Sequence, residues 1–319
     1  MRAVIQENQT LLLGDAALPK VAAGQLLVRV QAAGINRADL AQAAGRYPPP
    51  AGDSNILGLE VAGIVVELGE GVVDFAVGDE VLGLVGGGAY AEFCLLESAL
   101  AIKKPANLSF TDAASLPEVW MTAWFNLVEI GKLEVGQRVL IHAGASGVGA
   151  ASIQLAKYLG AWVATTAGGV KKAAFCRQLG ADLVVDYQQQ DFAAMVKEAG
   201  GVDLILDGVG GDYLAKNQAC LNIDGQIVLI GLLRGVSTEI NLGQLLMKRQ
   251  RLTGSTLRAQ PLKVKAKLAT ALRDKIAPAI VAGQLKITVD RIFNWQEAAI
   301  AHQYIAENQN IGKVLLQVS

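Results

Sequence analysis

A glycine-rich turn lies where the chain could bind the phosphates of a dinucleotide. Residues 140–149 read LIHAGASGVG, an apolar run followed by small residues. The residues of interest are Gly144, Ser146, Gly147, Val148 and Gly149. Glycine at 144 permits a tight turn, glycine at 149 permits close packing of a helix on a strand, and amides at the helix start can face a pyrophosphate. Because Ser146 replaces the middle glycine of G-x-G-x-x-G, a tight turn without a ligand is the alternative interpretation.

The end of the next predicted strand lacks a carboxylate. An acidic residue about 20 positions after the first glycine normally binds the ribose 2′-hydroxyl, but residues 164–169 read ATTAGG and are followed by Lys171 and Lys172. A missing anion and a nearby ammonium favour a 2′-phosphate. We therefore expect NADPH rather than NADH, with Gly168 and Lys172 near that phosphate. The alternative is that both lysines are solvated residues of a first helical turn.

Alternating strand and helix patterns must position this turn. Strand-like runs lie at residues 138–143, 162–166, 183–185, 202–207, 226–230 and 252–255. Helix-like runs lie at residues 148–159, 171–179, 191–199, 213–221 and 242–248. This alternation predicts an α/β fold with a doubly wound parallel sheet and right-handed crossovers.

The two ends of the chain follow a different pattern. The first 100 residues show short strands separated by glycine and proline turns, a helical pattern follows at 118–130, and the tail combines helices with strands. We expect the tail to complete a β-rich barrel formed by the first segment. The predicted domains are residues 1–118 with 262–319 and residues 119–261.

Composition excludes several classes of protein. The 319 residues carry a formal charge of -1, with 52% hydrophobic and 18% charged residues, which excludes disorder and argues against a nucleic-acid partner. The three cysteines form no C-x-x-C pair, which excludes a disulfide framework or a cysteine-rich zinc lobe. The N-terminus lacks the apolar core of a secretory signal, so we expect a cytoplasmic protein.

One uncharged stretch, residues 139–156, raises the hypothesis of a membrane span. It contains several glycine and serine residues together with a histidine and a glutamine. A buried strand, a turn and a helix explain these residues better. No membrane partner is expected.

Several motifs occur in a fixed order along the chain. They are GINRAD at 34–39, YPPP at 47–50, GLEVAG at 58–63, VGDEV at 77–81, the glycine turn, and NIGK at 310–313. In these the chain resembles the medium-chain dehydrogenase/reductase superfamily, in particular its zinc-free, zeta-crystallin-like quinone oxidoreductases, and most of all the p53-inducible ones. The resemblance implies a GroES-like β-barrel catalytic domain, a Rossmann domain that binds NADPH, a small quinone substrate and a homodimer joined through Rossmann edge strands.

The resemblance also implies residues near the nicotinamide, namely Asn36, Tyr47 and Thr122. An amide, a phenol and a hydroxyl could each orient a substrate there. Each residue has a structural alternative. Asn36 could be a turn residue, Tyr47 could anchor the proline turn that follows it, and Thr122 could hydrogen-bond to its own helix.

Further cofactor contacts follow from the same resemblance. It places Tyr187 near the adenine ribose phosphate, and Gly231 and Leu232 near the nicotinamide. Arg258 follows the sixth strand and could reach either a cofactor oxygen or a subunit contact. The DGVGG sequence at 207–211 ends the fourth strand, where crevice residues or a plain turn are expected.

Metal ligands and strong acid–base groups are scarce. Zinc-dependent relatives carry cysteine near Asn36 and a His-Glu pair where this chain has Leu59 and Glu60, so we expect no metal. Of the two histidines, His142 is predicted in the core and His302 on the surface or between domains.

Hydride transfer to a quinone needs proximity and an apolar slot more than a strong acid. The scarcity of strong acid–base groups therefore agrees with a quinone as substrate. Reduction of an activated alkene, with Tyr47 as proton donor, is the first alternative. The second alternative is a non-catalytic structural or RNA-binding protein.

Overall fold

The structure is a computed structural model that describes residues 1–7 and 10–318. The chain forms two compact units, unit 1 with Met1–Met121 and Arg258–Ser319, and unit 2 with Thr122–Leu257. Each unit has its own sheet. They are described separately below.

The first segment of unit 1 consists mainly of strands. They are β1 (Arg2–Glu7), β2 (Thr10–Asp15), β3 (Gln25–Ile35), β4 (Glu60–Leu68), β5 (Glu80–Leu84), β6 (Phe93–Glu97) and β7 (Ala101–Lys103). The helices are α1 (Arg37–Ala43), α2 (Phe110–Ala114) and α3 (Pro117–Trp124), with a 3-10 turn at Ser98–Leu100. Helix α3 continues as a π-helix, Phe125–Ile130.

Unit 2 alternates strands and helices. Its strands are β8 (Arg138–Ile141), β9 (Trp162–Ala167), β10 (Leu183–Asp186), β11 (Val202–Asp207), β12 (Leu221–Leu229) and β13 (Arg251–Gly254). Its helices are α4 (Gly147–Tyr158), α5 (Val170–Gln178), α6 (Phe192–Glu198), α7 (Tyr213–Cys220) and α8 (Leu242–Met247).

The strands of unit 2 confirm the predicted doubly wound sheet. Within the described residues they form one parallel sheet in the order β10-β9-β8-β11-β12-β13. Counted from β8, this is the order 3-2-1-4-5-6, which reverses between β8 and β11. In sheets of this kind ligands bind at the carboxyl ends of the strands beside that reversal.

The tail returns to unit 1. It contains α9 (Leu262–Ala271), a π-helix (Leu272–Ile276), α10 (Ala277–Val281), β14 (Val289–Asn294), a 3-10 turn (Trp295–Glu297), α11 (Ala298–Ala306) and β15 (Lys313–Gln317). Strand β15 pairs antiparallel with β3, and Val314 lies opposite Ile35. This register places Lys313 beside Asn36.

The sheet of unit 1 therefore uses both ends of the chain. Among the described residues its order is β14-β15-β3-β4-β5-β7, with β6 also paired to β3, and β1 and β2 form a separate hairpin. The long strand β3 lies at the centre because its apolar residues are almost all buried.

The uncharged run at 139–156 is the strand, turn and helix expected from its sequence, since it contains most of β8 and most of α4. No helix in the described part of the chain combines the length and the apolar character needed to cross a membrane.

Candidate functional site

The glycine turn, residues 144–149, brings the start of α4 against β8. A Cβ on Gly144 would overlap the Thr165 hydroxyl, and a Cβ on Gly149 would overlap the carbonyl oxygen of Ala143. Ser146 Oγ accepts a hydrogen bond from the Gly149 amide at 3.0 Å and caps the helix. Only glycine therefore permits this close approach of helix and strand at 144 and 149.

The start of α4 is suited to an anion. The helix is 12 residues long and has no acidic residue in its first turn. Gly147 and Val148 form that turn, so their amides lie at the positive end of the helix dipole. The sequence reasoning brought these residues together correctly in one turn, and the cradle fits a pyrophosphate.

A second turn with predicted cofactor residues lies between β9 and α5. Gly169 has φ of 80° before the helix begins, and a Cβ on Gly168 would lie 2.7 Å from the Tyr187 phenol oxygen. Tyr187, which follows β10, therefore covers this turn. Gly168 and Tyr187 therefore lie close together, and Lys172 follows in the first turn of α5. Their contact with a phosphate stays a prediction.

Two lysines lie in the first turn of α5, where Lys171 is exposed and Lys172 is half-buried. Positive charge at the N-terminus of a helix is disfavoured by its dipole. The position of these lysines therefore does not stabilise the helix, and the anion that the structure places at this helix start is the carboxylate of Asp186.

Sequence reasoning missed Asp186, which contacts the same turn. Its Oδ1 accepts hydrogen bonds from the amides of Gly169 and Gln188, both at 3.1 Å. It comes from β10, where Asp186 pairs with Ala167, rather than from β9, where an acidic residue was sought. An aspartate at the end of the neighbouring predicted strand was the available signal.

The turn after β11, residues 207–211, is held by its own aspartate. Asp207 Oδ1 accepts from the amides of Val209 at 2.7 Å and Gly210 at 3.0 Å. A Cβ on Gly231 would lie 2.7 Å from the carbonyl oxygen of Gly208. Gly231 and the exposed Leu232 therefore lie against this turn, at the carboxyl ends of β11 and β12.

Thr122 is buried in α3, at the residue where unit 2 begins. The Asn126 amide donates to the Thr122 carbonyl at 2.8 Å. Within the described residues, neither Thr122 Oγ1 nor Asn126 Oδ1 has a hydrogen-bond partner. The alternative, in which the Thr122 hydroxyl bonds to its own helix, is not observed, and the hydroxyl is a buried polar group without a partner among the described residues.

Unit 1 contains a polar cluster in which Asp39, Glu60 and Lys313 are buried and Asn36 and Glu118 are half-buried. Glu60 is 0% exposed and forms an ion pair with the Lys313 ammonium. The Asn36 amide lies between them, donating to Glu60 Oε1 at 2.9 Å and accepting from Lys313 at 2.6 Å. A Cβ on Gly34 would overlap the Glu60 carboxylate, so glycine at 34 makes room for it.

Two further carboxyls of this cluster have altered acidity. Burial raises the pKa of Asp39 to about 6, although the amides of Asn36 and Gly58 donate to it at 2.7 and 3.0 Å. Burial, with the nearby Glu60 charge, raises the pKa of Glu118 to about 8. The backbone amide of Glu118 donates to Glu60 Oε2 at 2.8 Å, which joins the start of α3 to the cluster.

Tyr47 and Arg258 form a pair in unit 1. The Arg258 guanidinium lies 5.5 Å from the centre of the Tyr47 ring and donates to the Tyr47 carbonyl at 3.5 Å. It also donates to the Gly86 carbonyl through Nε at 3.0 Å and Nη2 at 2.5 Å. Arg258 is 7% exposed and fixes the half-buried tyrosine. Its contact with a cofactor oxygen or a second subunit stays a prediction.

The Tyr47 phenol is available for chemistry. Among the described residues no hydrogen bond to its oxygen is present, and burial raises its pKa above the usual value. It therefore remains protonated at neutral pH and can donate a hydrogen bond.

His302 is buried, so its prediction as a surface residue was wrong, while the alternative position between domains stays a prediction. It is 8% exposed, and its Nε2 lies 3.3 Å from the Tyr90 hydroxyl within unit 1. Burial lowers its pKa to about 4. Its helix, α11, buries the face that carries Ala298, Ala301 and Ile305, a pattern compatible with burial that the sequence interpretation did not use.

Comparison with known families matches both units. The alcohol dehydrogenase GroES-like domain model matches residues 22–106, and the zinc-binding dehydrogenase model matches residues 147–273. The first range lies in unit 1, and most of the second lies in unit 2.

Individual proteins are similar over nearly the whole chain. A 2-haloacrylate reductase of Burkholderia sp is 34% identical over 308 residues, which cover 92% of this chain and 90% of that protein. The phthioceranic/hydroxyphthioceranic acid synthase of Mycobacterium tuberculosis is 32% identical over 304 residues, and the chain spans 14% of that longer protein. The structure of Escherichia coli quinone oxidoreductase with NADPH superposes with a TM-score of 0.88 at 28% identity, covering 99% of this chain and 98% of that one.

Proposed function

The chain belongs to the medium-chain dehydrogenase/reductase superfamily, and we propose that it is an NADPH-dependent reductase of small quinones. The observation that carries the proposal is the pair of anion sites in unit 2. The glycine turn offers amides for a pyrophosphate, and the Gly168, Lys172 and Tyr187 group offers an ammonium and a phenol for a 2′-phosphate. The NADPH complex of the similar E. coli quinone oxidoreductase supports this coenzyme.

NADPH fits the residues of unit 2. Gly147 and Val148 would hold the pyrophosphate through their backbone amides at the start of α4. Gly144 and Gly149 would shape the turn, because their own amides donate to the Thr166 carbonyl and to Ser146 Oγ. Lys172 would balance the charge of the 2′-phosphate in a charge-assisted hydrogen bond.

The nicotinamide end would be held by a different set. We assign it to the unpartnered hydroxyl of Thr122 and to Gly231 and Leu232 beside the turn that follows β11. When bound, the reduced nicotinamide supplies two electrons and one hydrogen to an electron-poor carbon or oxygen, and the second proton of a hydroquinone product can come from water.

Unit 1 would orient the substrate. Tyr47 presents an aromatic ring and a protonated phenol, and Arg258 fixes that ring from behind. Asn36 has partners on both atoms of its amide, and so the ion pair of Glu60 and Lys313 determines its orientation. An oriented amide and phenol can bind the carbonyl oxygens of a quinone without a strong acid.

No zinc takes part in this proposal, because the residues do not suit the metal. The positions that hold ligands in zinc-dependent relatives are Asn36, Leu59 and Glu60 here, and zinc requires three protein ligands. The Lys313 ammonium contacts both Asn36 and Glu60, so a positive charge is already placed where a cation would bind. We expect activity to survive incubation with a strong chelator and metal analysis to find far less than one zinc per chain.

Activated alkenes are the second candidate substrates. The 34% identity to a 2-haloacrylate reductase over 92% of the chain favours them. Saturating a carbon–carbon double bond requires a proton at the α-carbon, and the Tyr47 phenol is a suitable donor.

A panel assay tests the function. NADPH oxidation is followed with ortho- and para-quinones and with α,β-unsaturated ketones, each with and without chelator. The proposal expects the highest kcat/KM with a quinone and no effect of the chelator. Turnover of enones alone would make the alkene reductase the correct assignment, and no turnover of any acceptor would contradict both.

A second copy of the chain is the proposed partner. Within the described residues β13 pairs only with β12 and so forms an edge of the sheet. The adjacent α8 has no buried residue, and Leu246, Met247 and Leu252 are 76%, 77% and 42% exposed. Pairing of two β13 strands would bury these apolar side chains and extend the sheet across a homodimer.

A further inference from the structure

A row of buried hydrogen bonds joins two turns of unit 2. The Ala143 amide donates to Thr166 Oγ1 at 3.2 Å, and this oxygen lies 3.0 Å from His142 Nδ1. On the other side of the ring, His142 Nε2 lies 2.7 Å from Asn217 Oδ1, and Asn217 Nδ2 donates to Asp207 Oδ2 at 2.9 Å. We call Thr166, His142, Asn217 and Asp207 the buried row.

The partners fix the direction of every hydrogen bond. Asp207 accepts, so the Asn217 amide nitrogen must face it and Asn217 Oδ1 must face His142. His142 Nε2 therefore carries the hydrogen, and the neutral ring leaves Nδ1 as an acceptor. The Thr166 hydroxyl donates to Nδ1 while its oxygen accepts from the Ala143 amide.

The surroundings keep the ring neutral and fixed. The four residues of the buried row are between 0% and 4% exposed. Phe192 and Tyr213 pack against the His142 ring at centroid distances of 4.8 and 4.9 Å. Burial lowers the pKa of His142, although the nearby Asp207 charge acts in the opposite direction.

Both ends of the buried row reach turns at the point where the strand order reverses. Ala143 precedes the glycine turn after β8, and Asp207 holds the amides of Val209 and Gly210 after β11. Gly231 lies against this second turn. The row thus connects the turn assigned to the pyrophosphate with the turn assigned to the nicotinamide end.

We propose that His142 is a positioning residue, which as the Nε2–H tautomer fixes the glycine turn relative to residues 207–211 and thereby aligns the pyrophosphate of NADPH with its nicotinamide end. This inference rests on the proposed function, because it requires that the coenzyme binds to both turns. His142 touches neither substrate nor coenzyme in this role. Its effect passes through Thr166 on one side and through Asn217 and Asp207 on the other.

Two matched asparagines test the proposal. Each asparagine donates to an aspartate of β11 at 2.9 Å. Asn217 donates to Asp207 at the carboxyl end of the strand, and Asn222 donates to Asp203 near its amino end. Asn217→Ala should raise the Kd for NADPH by about tenfold, as expected for loss of a hydrogen bond in a network ending on a charged group. Asn222→Ala should leave this Kd unchanged.

Thr166→Val is the milder variant, because it keeps the shape of the side chain and removes only the hydroxyl. It should also raise the Kd and the KM for NADPH. By comparison, the midpoint temperature of thermal unfolding should change little. If the Asn217 and Asn222 variants lose the same free energy of unfolding and bind NADPH with the same Kd, the positioning role is overturned.

Nitrogen NMR of the imidazole rings tests the tautomer directly. The chain has two histidines, and His302→Gln leaves one set of signals. His142 should show the Nε2–H tautomer of the neutral ring at neutral pH, and an Nδ1–H or doubly protonated ring there would overturn the inference. If the wild-type chain binds no NADPH, the proposed function fails, whereas the spectrum still decides on the hydrogen bonds of the buried row.

Discussion

The Nζ atom of Lys313 lies 2.6 Å from Oδ1 of Asn36 and joins the last strand of unit 1 to the residue before its first helix. The antiparallel register of β3 and β15 brings the two residues together. The same ammonium pairs with the Glu60 carboxylate, and the two side chains are 4% and 0% exposed. One buried cation therefore determines the orientation of an amide that we assign to the substrate site.

Removing this cation should destabilise unit 1 strongly. Lys313→Met leaves the Glu60 carboxylate buried and unpaired, which typically costs about 3–5 kcal/mol in the free energy of unfolding. Arg249→Met is the control, because Arg249 and Asp224 form an ion pair whose side chains are 64% and 63% exposed, and such pairs contribute at most about 1 kcal/mol. Urea unfolding measures the free energy of unfolding of both variants. Equal losses would show that the buried ion pair stabilises the protein no more than the exposed one.

The stability of the protein should depend on pH through Glu118. Its folded-state pKa of about 8 lies above that of an unfolded glutamate, so the folded state retains a proton that the unfolded state releases. Stability should therefore fall as pH rises from about 5 to about 8. Urea unfolding should show that Glu118→Gln flattens this slope, whereas Glu129→Gln, at an exposed position, should leave it unchanged. An unchanged slope in the Glu118 variant would exclude this carboxyl as the cause.

The proposed homodimer would depend on the edge formed by β13 and α8. Light scattering of the wild-type chain should give about twice the chain mass of 33.4 kDa. Leu252→Lys should give the mass of one chain, because it places a charge in the apolar interface. Val73→Lys, at a position of unit 1 that is 87% exposed, should leave the dimer intact. A wild-type monomer at micromolar concentration would argue against the proposed interface.

The Tyr47 phenol should matter more for enones than for quinones. Tyr47→Phe removes the proposed proton donor and keeps the ring beside Arg258. General acids contribute about 10²–10⁴-fold to rates, so kcat with an enone should fall within that range, while kcat with a quinone should change little. Tyr304→Phe, which removes a hydroxyl that donates to Asp290, is the control. Equal losses with both substrates would show that Tyr47 positions the substrate and does not protonate it.

Local patterns predict much of this molecule. The parallel sheet of unit 2 follows from alternating apolar runs, and the glycine turn follows from residues adjacent in sequence. Lys172 lies in the first turn of α5 as predicted, because a short turn between strand and helix leaves little freedom in its position.

Contacts between distant residues are less predictable. Lys313 and Asn36 are 277 positions apart, and only the register of β3 and β15 places them together. Asp186 approaches the Gly169 amide from a neighbouring strand, and His302 is buried because it meets Tyr90, 212 positions away. Sequence patterns give the type of each element, but these pairs depend on how the elements pair and pack.

The proposed choice of NADPH over NADH depends on charge at the start of α5, and coenzyme kinetics of two adjacent lysine variants measure that dependence. With one quinone as acceptor, kcat/KM is measured for NADPH and NADH in the wild type, Lys172→Ala and Lys171→Ala. We predict that Lys172→Ala lowers kcat/KM for NADPH by about tenfold or more, the effect of one charge-assisted hydrogen bond, with NADH nearly unaffected. The exposed Lys171 should contribute less. Equal losses with both coenzymes, or a wild-type enzyme that prefers NADH, would contradict the claim.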